Sequence, residues 1–125
     1  MKVKMIPPKF DKTLDYLNKL KNYDAMRILD KYGKMGVELL SGATPVRTGQ
    51  TAKSWYYEIE HTKNRYKIKW NNSNISNGAV IAILIQYGHG TRNGGYVQGT
   101  DYINPELKKV FEEMSAEIRK EVSSI

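Results

Sequence analysis

The segment from residue 85 to residue 96 holds the residue types in this chain that are best suited to chemistry. It reads IQYGHGTRNGGY, so four glycines, two tyrosines, a histidine and an arginine fall within one loop. Glycine lets the backbone turn sharply or lie close to another chain, and His89, Arg92 and Tyr96 supply hydrogen-bonding groups and aromatic area. Loops of this composition carry function more often than they form the scaffold. Two interpretations follow, a binding loop and a flexible surface loop.

Three kinds of active site fit the sequence poorly. The chain has no cysteine and two histidines, His61 and His89, and no acidic residue lies closer to His89 in sequence than Asp101. A metal site would therefore need carboxylates from elsewhere in the fold. The glycine spacing does not match a phosphate-binding loop, and no Gly-x-Ser-x-Gly nucleophile motif is present. We therefore expect no catalysis, no metal and no cofactor.

Composition and charge suit a single domain with an anionic or self-complementary partner. The chain has 125 residues, a formal charge of +7, no cysteine and no signal-peptide pattern at its start, so a cytosolic or virion-internal protein without membrane contact is expected. Residues 1–54 carry 11 basic and 5 acidic side chains, residues 55–100 carry 5 and 2, and residues 101–125 carry 4 and 6. Such asymmetry suits head-to-tail contacts between copies, although a solvated basic surface explains it equally.

Apolar residues at the three-and-four spacing of a helix predict three helices. The first lies within residues 10–20, the second spans residues 24–42, and the third spans residues 104–125 and opens with NPE, the order of a cap, a first-turn proline and a first-turn acid. Gly33 and Gly36 lie inside the second helix, where glycine costs about 1 kcal/mol relative to alanine. We therefore expect another element to approach this helix closely at the two glycines.

A β-hairpin is predicted in the middle of the chain. The segments WYYEIE and RYKIKW alternate apolar and polar residues, and residues 61–64 join them. If Glu60 lies opposite Arg65, Tyr57 lies opposite Ile68, so that one face is apolar and the other pairs opposite charges. A shift of one residue would place lysines against the apolar side chains.

The predicted fold is α+β, with two N-terminal helices, a small mostly antiparallel sheet containing the hairpin, and a C-terminal amphipathic helix. Residues 71–78 are predicted to be a loop. Residues 79–87 are apolar at nearly every position, which fits a buried strand or a short buried helix, and their β-branched content favours the strand. The predicted single domain, 1–125, has an N-terminal arm at 1–9, helices at 10–42, a sheet at 55–87, a glycine-rich loop at 88–103 and the last helix at 104–125.

Two segments of the chain carry motifs of one protein family. Residues 44–55, TPVRTGQTAKSW, resemble the Pro-x-[Lys/Arg/Asp]-Thr-Gly-x-[Leu]-x-x-Ser-[Ile/Trp] stretch of the small head-to-tail joining and tail-completion proteins of tailed bacteriophages. Residues 85–92, followed by GGYV and by DYI before the last helix, are similar to that family's Val-Glu-Tyr-Gly-His-x-Thr segment, Gly-Gly-aromatic loop and closing helix. The order of elements also matches, so the resemblance covers residues 10–122. Gln86 stands where the family usually has glutamate and Thr51 where leucine is common, so a charge pairing of that glutamate is not carried over.

The resemblance implies a structural protein of the neck of a phage or prophage, a head-to-tail connector or tail-completion ring subunit. It would lie in the virion neck or tail, and in the host cytoplasm during assembly. Its partners would be copies of itself in a ring of unknown copy number and neighbouring head-closure, tail-terminator or tail-tube proteins, with no small-molecule substrate. DNA in the lumen would be contacted without sequence preference.

The resemblance also implies where the assembly contacts lie, in the Thr-Gly turn and in the glycine-rich loop. For the Thr-Gly turn, a plain turn in which Thr48 caps the following residues is an equally good interpretation. The expected contact residues are Arg47, Thr48, Gly49, Tyr87, Gly88, His89, Gly90, Thr91, Arg92, Gly94, Gly95 and Tyr96.

A basic nucleic-acid-binding module is the alternative function. The isoelectric point is near 9.5, and Arg65, Lys67 and Lys69 form a basic row on one face of a predicted strand, where they offer possible phosphate contacts. Nine tyrosines and two tryptophans could stack on bases. Glu58 and Glu60 face this row in the predicted hairpin and would neutralise much of it.

Overall fold

A computed structural model describes residues 11–14, 20–45, 49–63 and 65–124, with the backbone alone described for residues 11–14. In chain order the elements are β1 Asp11–Leu14, α1 Asn22–Ala43, α2 Gly49–Ala52, β2 Trp55–Thr62, β3 Arg65–Asn72, β4 Ile75–Ser76, β5 Ala79–Val80, α3 Ile81–Tyr87, β6 Gly88–Gly90, β7 Tyr96–Gln98 and α4 Ile103–Ser123. A three-stranded antiparallel sheet has the strand order β1-β3-β2, and the other described strands form two antiparallel pairs, β4–β5 and β6–β7. The predicted α+β class is confirmed.

The hydrophobic core lies between the sheet and the two long helices. α1 packs against α4 on one side and against β2 and β3 on the other. Both helices confirm the predicted stripes, and their observed ends differ from the predicted ends by one or two residues. The largest fully buried side chains are Trp70, Ile28, Leu29, Leu40, Ile68, Ile103, Met114 and Ile118.

The two glycines of α1 receive aromatic side chains from the sheet. A side chain at Gly36 would occupy the space of the Trp70 indole, and one at Gly33 the space of the Tyr57 ring. The Trp70 Nε1 donates a hydrogen bond to the Gly33 carbonyl oxygen at 3.0 Å, and the Trp70 ring contacts the Phe111 ring edge-on with centroids 5.6 Å apart. The predicted close approach at both glycines is therefore confirmed.

The helix predicted for residues 10–20 is wrong over Asp11–Leu14, which form strand β1. This strand pairs antiparallel with β3, with Asp11 opposite Lys69 and Leu14 opposite Tyr66. By pairing there, β1 forms hydrogen bonds with the backbone groups along the second edge of β3. The spacing of apolar residues within residues 10–20 carries no information about this distant edge. The rest of this predicted helix up to residue 19, and the predicted arm at 1–9, lie outside the described residues.

The predicted hairpin is present, but its register differs from the prediction by two residues. Thr62 lies opposite Arg65, so the predicted pairing of Glu60 with Arg65 is wrong. The reason is the connection, which has two residues instead of four, and its first residue, Lys63, has a φ of 40° as a tight hairpin turn requires. Because side chains alternate with a period of two, a two-residue shift leaves every side chain on its predicted face.

The strand favoured for residues 79–87 is wrong beyond residue 80, because residues 81–87 form helix α3. The predicted sheet range 55–87 therefore ends at residue 80, while the predicted loop at 71–78 contains the end of β3 and strand β4. A turn at Asn77 and Gly78, with φ of 51° and 79°, joins β4 to β5. A helix satisfies its own backbone, so the apolar run after this turn needs no neighbouring strand.

A polar cluster joins the exposed edges of α1 and α4 beside the core. The Glu117 Oε1 accepts hydrogen bonds from the Lys31 ammonium and the Tyr32 hydroxyl, each at 2.7 Å. The hydrogen bond from Lys31, followed by that from Tyr32, lowers the pKa of the Glu117 carboxyl. The pKa of the Lys31 ammonium is raised by the same contact. The ionised carboxylate therefore stabilises the α1–α4 contact.

Glu117→Gln is expected to lower the free energy of unfolding by about 1 kcal/mol at neutral pH, since the amide retains an acceptor oxygen but not the charge. Because the pKa of the Glu117 carboxyl is lower in the folded state than the reference value of 4.5, its ionisation stabilises the folded protein at pH values above 4.5. This stabilisation is lost as the pH falls through the folded-state pKa. The difference between wild type and variant should therefore shrink at acidic pH. Urea unfolding at pH 7 and pH 3 measures it, and an unchanged difference would contradict a role for the charge.

Candidate functional site

The glycine-rich loop folds as a small antiparallel hairpin of residues 88–98, here called the glycine hairpin. β6 and β7 form its strands, and Thr91 closes its tip. The Thr91 N–H donates to the Gly95 carbonyl oxygen at 2.9 Å, and the Thr91 hydroxyl oxygen accepts from the Gly95 N–H at 3.0 Å. Gly94 has a φ of 82°, in the left-handed region that favours glycine. The loop is therefore held by its own hydrogen bonds.

The base of the glycine hairpin is a close crossing of two backbone segments. Gly88 has a φ of 80°, and a side chain there would overlap the backbone of residues 97 and 99. The Tyr96 hydroxyl donates to the Tyr87 carbonyl oxygen at 2.9 Å, and the Thr100 N–H donates to the Ile85 carbonyl oxygen at 2.9 Å. These contacts join the chain entering the hairpin to the chain leaving it.

Gln86 connects α3 to the beginning of α4, in an arrangement here called the Gln86 clasp. Its Oε1 accepts hydrogen bonds from the backbone N–H groups of Tyr102 and Ile103 at 3.0 and 2.9 Å, which are donors that a helix start leaves unpaired. Its Nε2 donates to Asp101 Oδ1 at 2.6 Å, and the same oxygen accepts from the Asn104 side chain at 2.9 Å. A glutamate could accept the two backbone bonds, but it could not donate to Asp101.

Tyr102 adds a buried hydrogen bond to the same junction between α3 and α4. Its hydroxyl donates to the Ala82 carbonyl oxygen of α3 at 2.8 Å. Burial raises the pKa of the Tyr102 phenol, so the hydroxyl stays protonated and keeps donating throughout the physiological range. The glycine hairpin thus leaves the protein from a base anchored to both α3 and α4.

An apolar cleft of about 410 Å³ opens between α3 and the glycine hairpin. The Nδ1 atom of His89, a lining residue, is buried and has no hydrogen-bond partner among the described residues. Val97, another lining residue, exposes 40% of its surface, and Tyr96, its chain neighbour, and Tyr87, whose carbonyl oxygen accepts from Tyr96, expose 63% and 39%. Exposed apolar area next to a concave apolar surface is typical of a contact site for another molecule. The cleft is lined by Pro45, Ile81, Leu84, Ile85, His89, Val97, Gln98 and Thr100.

The two motifs of the chain meet at this cleft through Pro45. Of the predicted contact residues in the first motif, Arg47 and Thr48 lie outside the described residues. Gly49 begins the short helix α2 and is exposed, and among the described residues none outside its own turn comes within 4 Å of the position that a side chain would take. The nine predicted contact residues of the second motif, from residue 87 to residue 96, lie on or directly before the glycine hairpin.

The basic row is flanked by carboxylates. Arg65 is exposed, while Lys67 and Lys69 are half-buried on the central strand β3. The Lys69 ammonium lies 2.9 Å from the Glu60 carboxylate, and Glu58 is directly opposite Lys69 in the sheet. The three residues do share one face as predicted, but that face carries both signs of charge.

The Gln86 clasp and the position of Pro45 in the lining of the cleft were not predicted from the sequence. In the sequence Gln86 stands out only as a departure from a family pattern, and no local signal links it to residues 101–103. If a helix had been predicted for residues 81–87, helical periodicity would have placed Ala82 and Gln86 on one buried face. Pro45 stands out only as the residue beyond a helix end and as part of a motif.

Neither a metal centre nor a membrane span is found in the described part of the chain. No group of three or more His, Asp or Glu side chains there is placed to bind a metal ion. No helix there combines the length and the apolar character that crossing a bilayer requires. Comparison of the chain with protein-family models, with curated proteins and with solved structures found no match.

Proposed function

We propose that this protein is a structural subunit of a phage or prophage neck, a head-to-tail connector or tail-completion protein that acts by assembling into a ring and not by catalysis. The observation that supports this most is the glycine hairpin, which exposes Tyr96 and Val97 at an apolar cleft, with the exposed Tyr87 directly before it on an anchored base. Aromatic side chains on a pre-organised element contribute much of the binding energy in protein interfaces. The motif resemblance supplies the specific assignment.

The glycine hairpin suits a contact between proteins better than a contact with nucleic acid. Residues 87–100 contain one permanently charged side chain, Arg92, whereas nucleic-acid affinity depends on several phosphate contacts. The remaining surface of the hairpin is aromatic, apolar or amide-bearing, which is the composition of interface cores. The proposed partners are copies of this chain and the neighbouring head-closure, tail-terminator or tail-tube proteins, in the virion neck or tail and in the host cytoplasm during assembly.

Light scattering of the purified protein, alone and mixed with the proteins encoded beside it, tests this function. We expect a species of several copies in at least one sample. Replacing Tyr96 and Val97 together by alanine should weaken that assembly about tenfold or more, because both contribute exposed apolar area. Ile75→Ala is the matched control, since Ile75 exposes 48% of its surface on β4, a strand outside the hairpin. A monomer that ignores every neighbour would overturn the proposal.

Nucleic-acid binding remains the second candidate because of the charge of +7 and the row Arg65, Lys67 and Lys69. The carboxylates of Glu58 and Glu60 beside that row weaken its case. Affinity for DNA that falls steeply with salt, measured for a monomer that does not assemble, would favour this candidate over the assembly function.

A further inference from the structure

The outer edge of β2 is a long strand edge that no other described strand pairs with, since within the described residues β2 pairs with β3 alone. The strand has eight residues and contains neither lysine nor proline, two residue types that often protect an exposed edge from pairing, although it carries the charged side chains of Glu58 and Glu60. The backbone groups along this edge, which no other described strand pairs with, can therefore bond to another strand.

The hairpin register identifies which backbone groups face outwards. Thr62 and Arg65 flank the two-residue turn, and in an antiparallel pair the hydrogen-bonded positions alternate from the turn onwards. Residues 58, 60 and 62 therefore direct their N–H and C=O groups towards β3. Residues 57, 59 and 61 direct theirs to the free edge, where they form a regular row of donors and acceptors.

The free edge is bordered by two grooves between β2 and α1. One, of about 480 Å³, is lined by residues that include Tyr23, Met26 and Ile59. The other, of about 300 Å³, is lined by residues that include Val37 and Tyr56. Four charged side chains also line these grooves, those of Arg27, Asp30, Lys34 and Glu38. A strand added to β2 would therefore find apolar and aromatic side chains among charged ones on its α1 side, where its own alternate side chains can pack.

The charges of β2 complement those of the glycine hairpin. β2 carries the carboxylates of Glu58 and Glu60 and no permanent cation, whereas residues 87–100 carry Arg92 and no carboxylate. The lysines that neighbour these carboxylates belong to β3, one strand further from the free edge. Within the described residues, the strands of the glycine hairpin pair only with each other, so the hairpin too has unpaired edges.

We infer that the glycine hairpin of one copy adds as a strand to the β2 edge of a second copy. The ladder between them is short, because β6 and β7 have three residues each. Tyr96 packs on the groove beside α1, its neighbour Val97 faces the opposite side of the added strand, and Arg92 faces the Glu58 and Glu60 carboxylates. Donor and acceptor surfaces are different parts of the same chain, so the contact is heterologous, and such a contact closes into a ring when its rotation allows. This inference rests on the proposed function and specifies the partner of its site.

Cross-linking between introduced cysteines tests the contact directly, because the chain has no cysteine of its own. Val97→Cys protein is mixed with Glu60→Cys protein and treated with a short bismaleimide, under conditions in which light scattering detects the assembly. We expect cross-linked dimers in about tenfold greater yield than from Val97→Cys mixed with Glu113→Cys, whose exposed thiol would lie on α4. Equal yields, or cross-links only to a neighbouring protein, in an assembled sample would overturn the inference and leave the proposed function standing. Absence of any assembly, alone and with neighbours, would overturn both.

Charge reversal gives an independent measurement of the same contact. Arg92→Glu should weaken the assembly about tenfold by facing carboxylates with a carboxylate, and combining it with Glu58→Lys and Glu60→Lys should restore much of that loss. Arg119→Glu is the control, because it makes the same charge change at an exposed position of α4. Equal effects of Arg92→Glu and Arg119→Glu, or no rescue, would contradict the contact.

Discussion

Gly36→Ala is expected to lower the free energy of unfolding by about 3 kcal/mol, because its methyl group would overlap the Trp70 indole. Trp70 is fully buried, and its hydrogen bond to the Gly33 carbonyl oxygen and its contact with Phe111 keep the ring from moving aside. Alanine gains about 1 kcal/mol in helix propensity over glycine, which is too little to compensate. Urea unfolding followed by circular dichroism and tryptophan fluorescence measures the loss.

Gly42→Ala is the matched control in the same helix. Gly42 is exposed, and in the described part of the chain no atom beyond its own helical turn lies within 4 Å of the position that a side chain would take, so the substitution should raise stability by about 0.5–1 kcal/mol. If Gly36→Ala were as stable as Gly42→Ala, Trp70 would not be packed on the α1 backbone in solution.

Gln86→Glu is expected to lower the free energy of unfolding by about 2 kcal/mol at neutral pH. The new carboxylate keeps the two acceptor bonds to the Tyr102 and Ile103 amides, but it replaces the donor that contacts Asp101 Oδ1 at 2.6 Å. Two carboxylates at that distance repel each other, and position 86 is buried while Asp101 is exposed. Because the clasp anchors the glycine hairpin, the variant should also assemble less well in the light-scattering experiment.

The double variant Gln86→Glu, Asp101→Asn distinguishes charge repulsion from loss of packing. The introduced asparagine can donate to the introduced carboxylate at position 86, so the pair is restored with the donor and acceptor exchanged, and most of the stability should return. Protonation of one carboxyl should likewise relieve the single variant, so its deficit relative to wild type should shrink towards about pH 4. A deficit that persists in the double variant and does not vary with pH would show that the carboxylate contact is not its cause.

The sequence predicted the helices best where a long apolar stripe exists. α1 and α4 each bury one continuous face, and a stripe of that length is incompatible with a strand. Gly33 and Gly36 signalled a close contact because glycine inside a helix needs a compensating reason, but the partners, Tyr57 and Trp70, could not be identified from local spacing. The residues of the predicted glycine-rich loop lie together in the glycine hairpin, whose strand pairing was not predicted.

The sequence by itself determined the α+β class, the two long helices, and the faces of the β2–β3 hairpin, because all three depend on the periodicity of apolar residues. A shift of the hairpin register by two residues leaves that periodicity unchanged. Only the tertiary structure decided that Asp11–Leu14 form a strand, that residues 81–87 form a helix, and that Gln86 joins α3 to α4. Two of these depend on which distant backbone groups are left unpaired: the edge of β3 pairs with β1, and the amides at the start of α4 donate to Gln86. Such requirements arise when elements meet, and short segments carry no periodic signal of them.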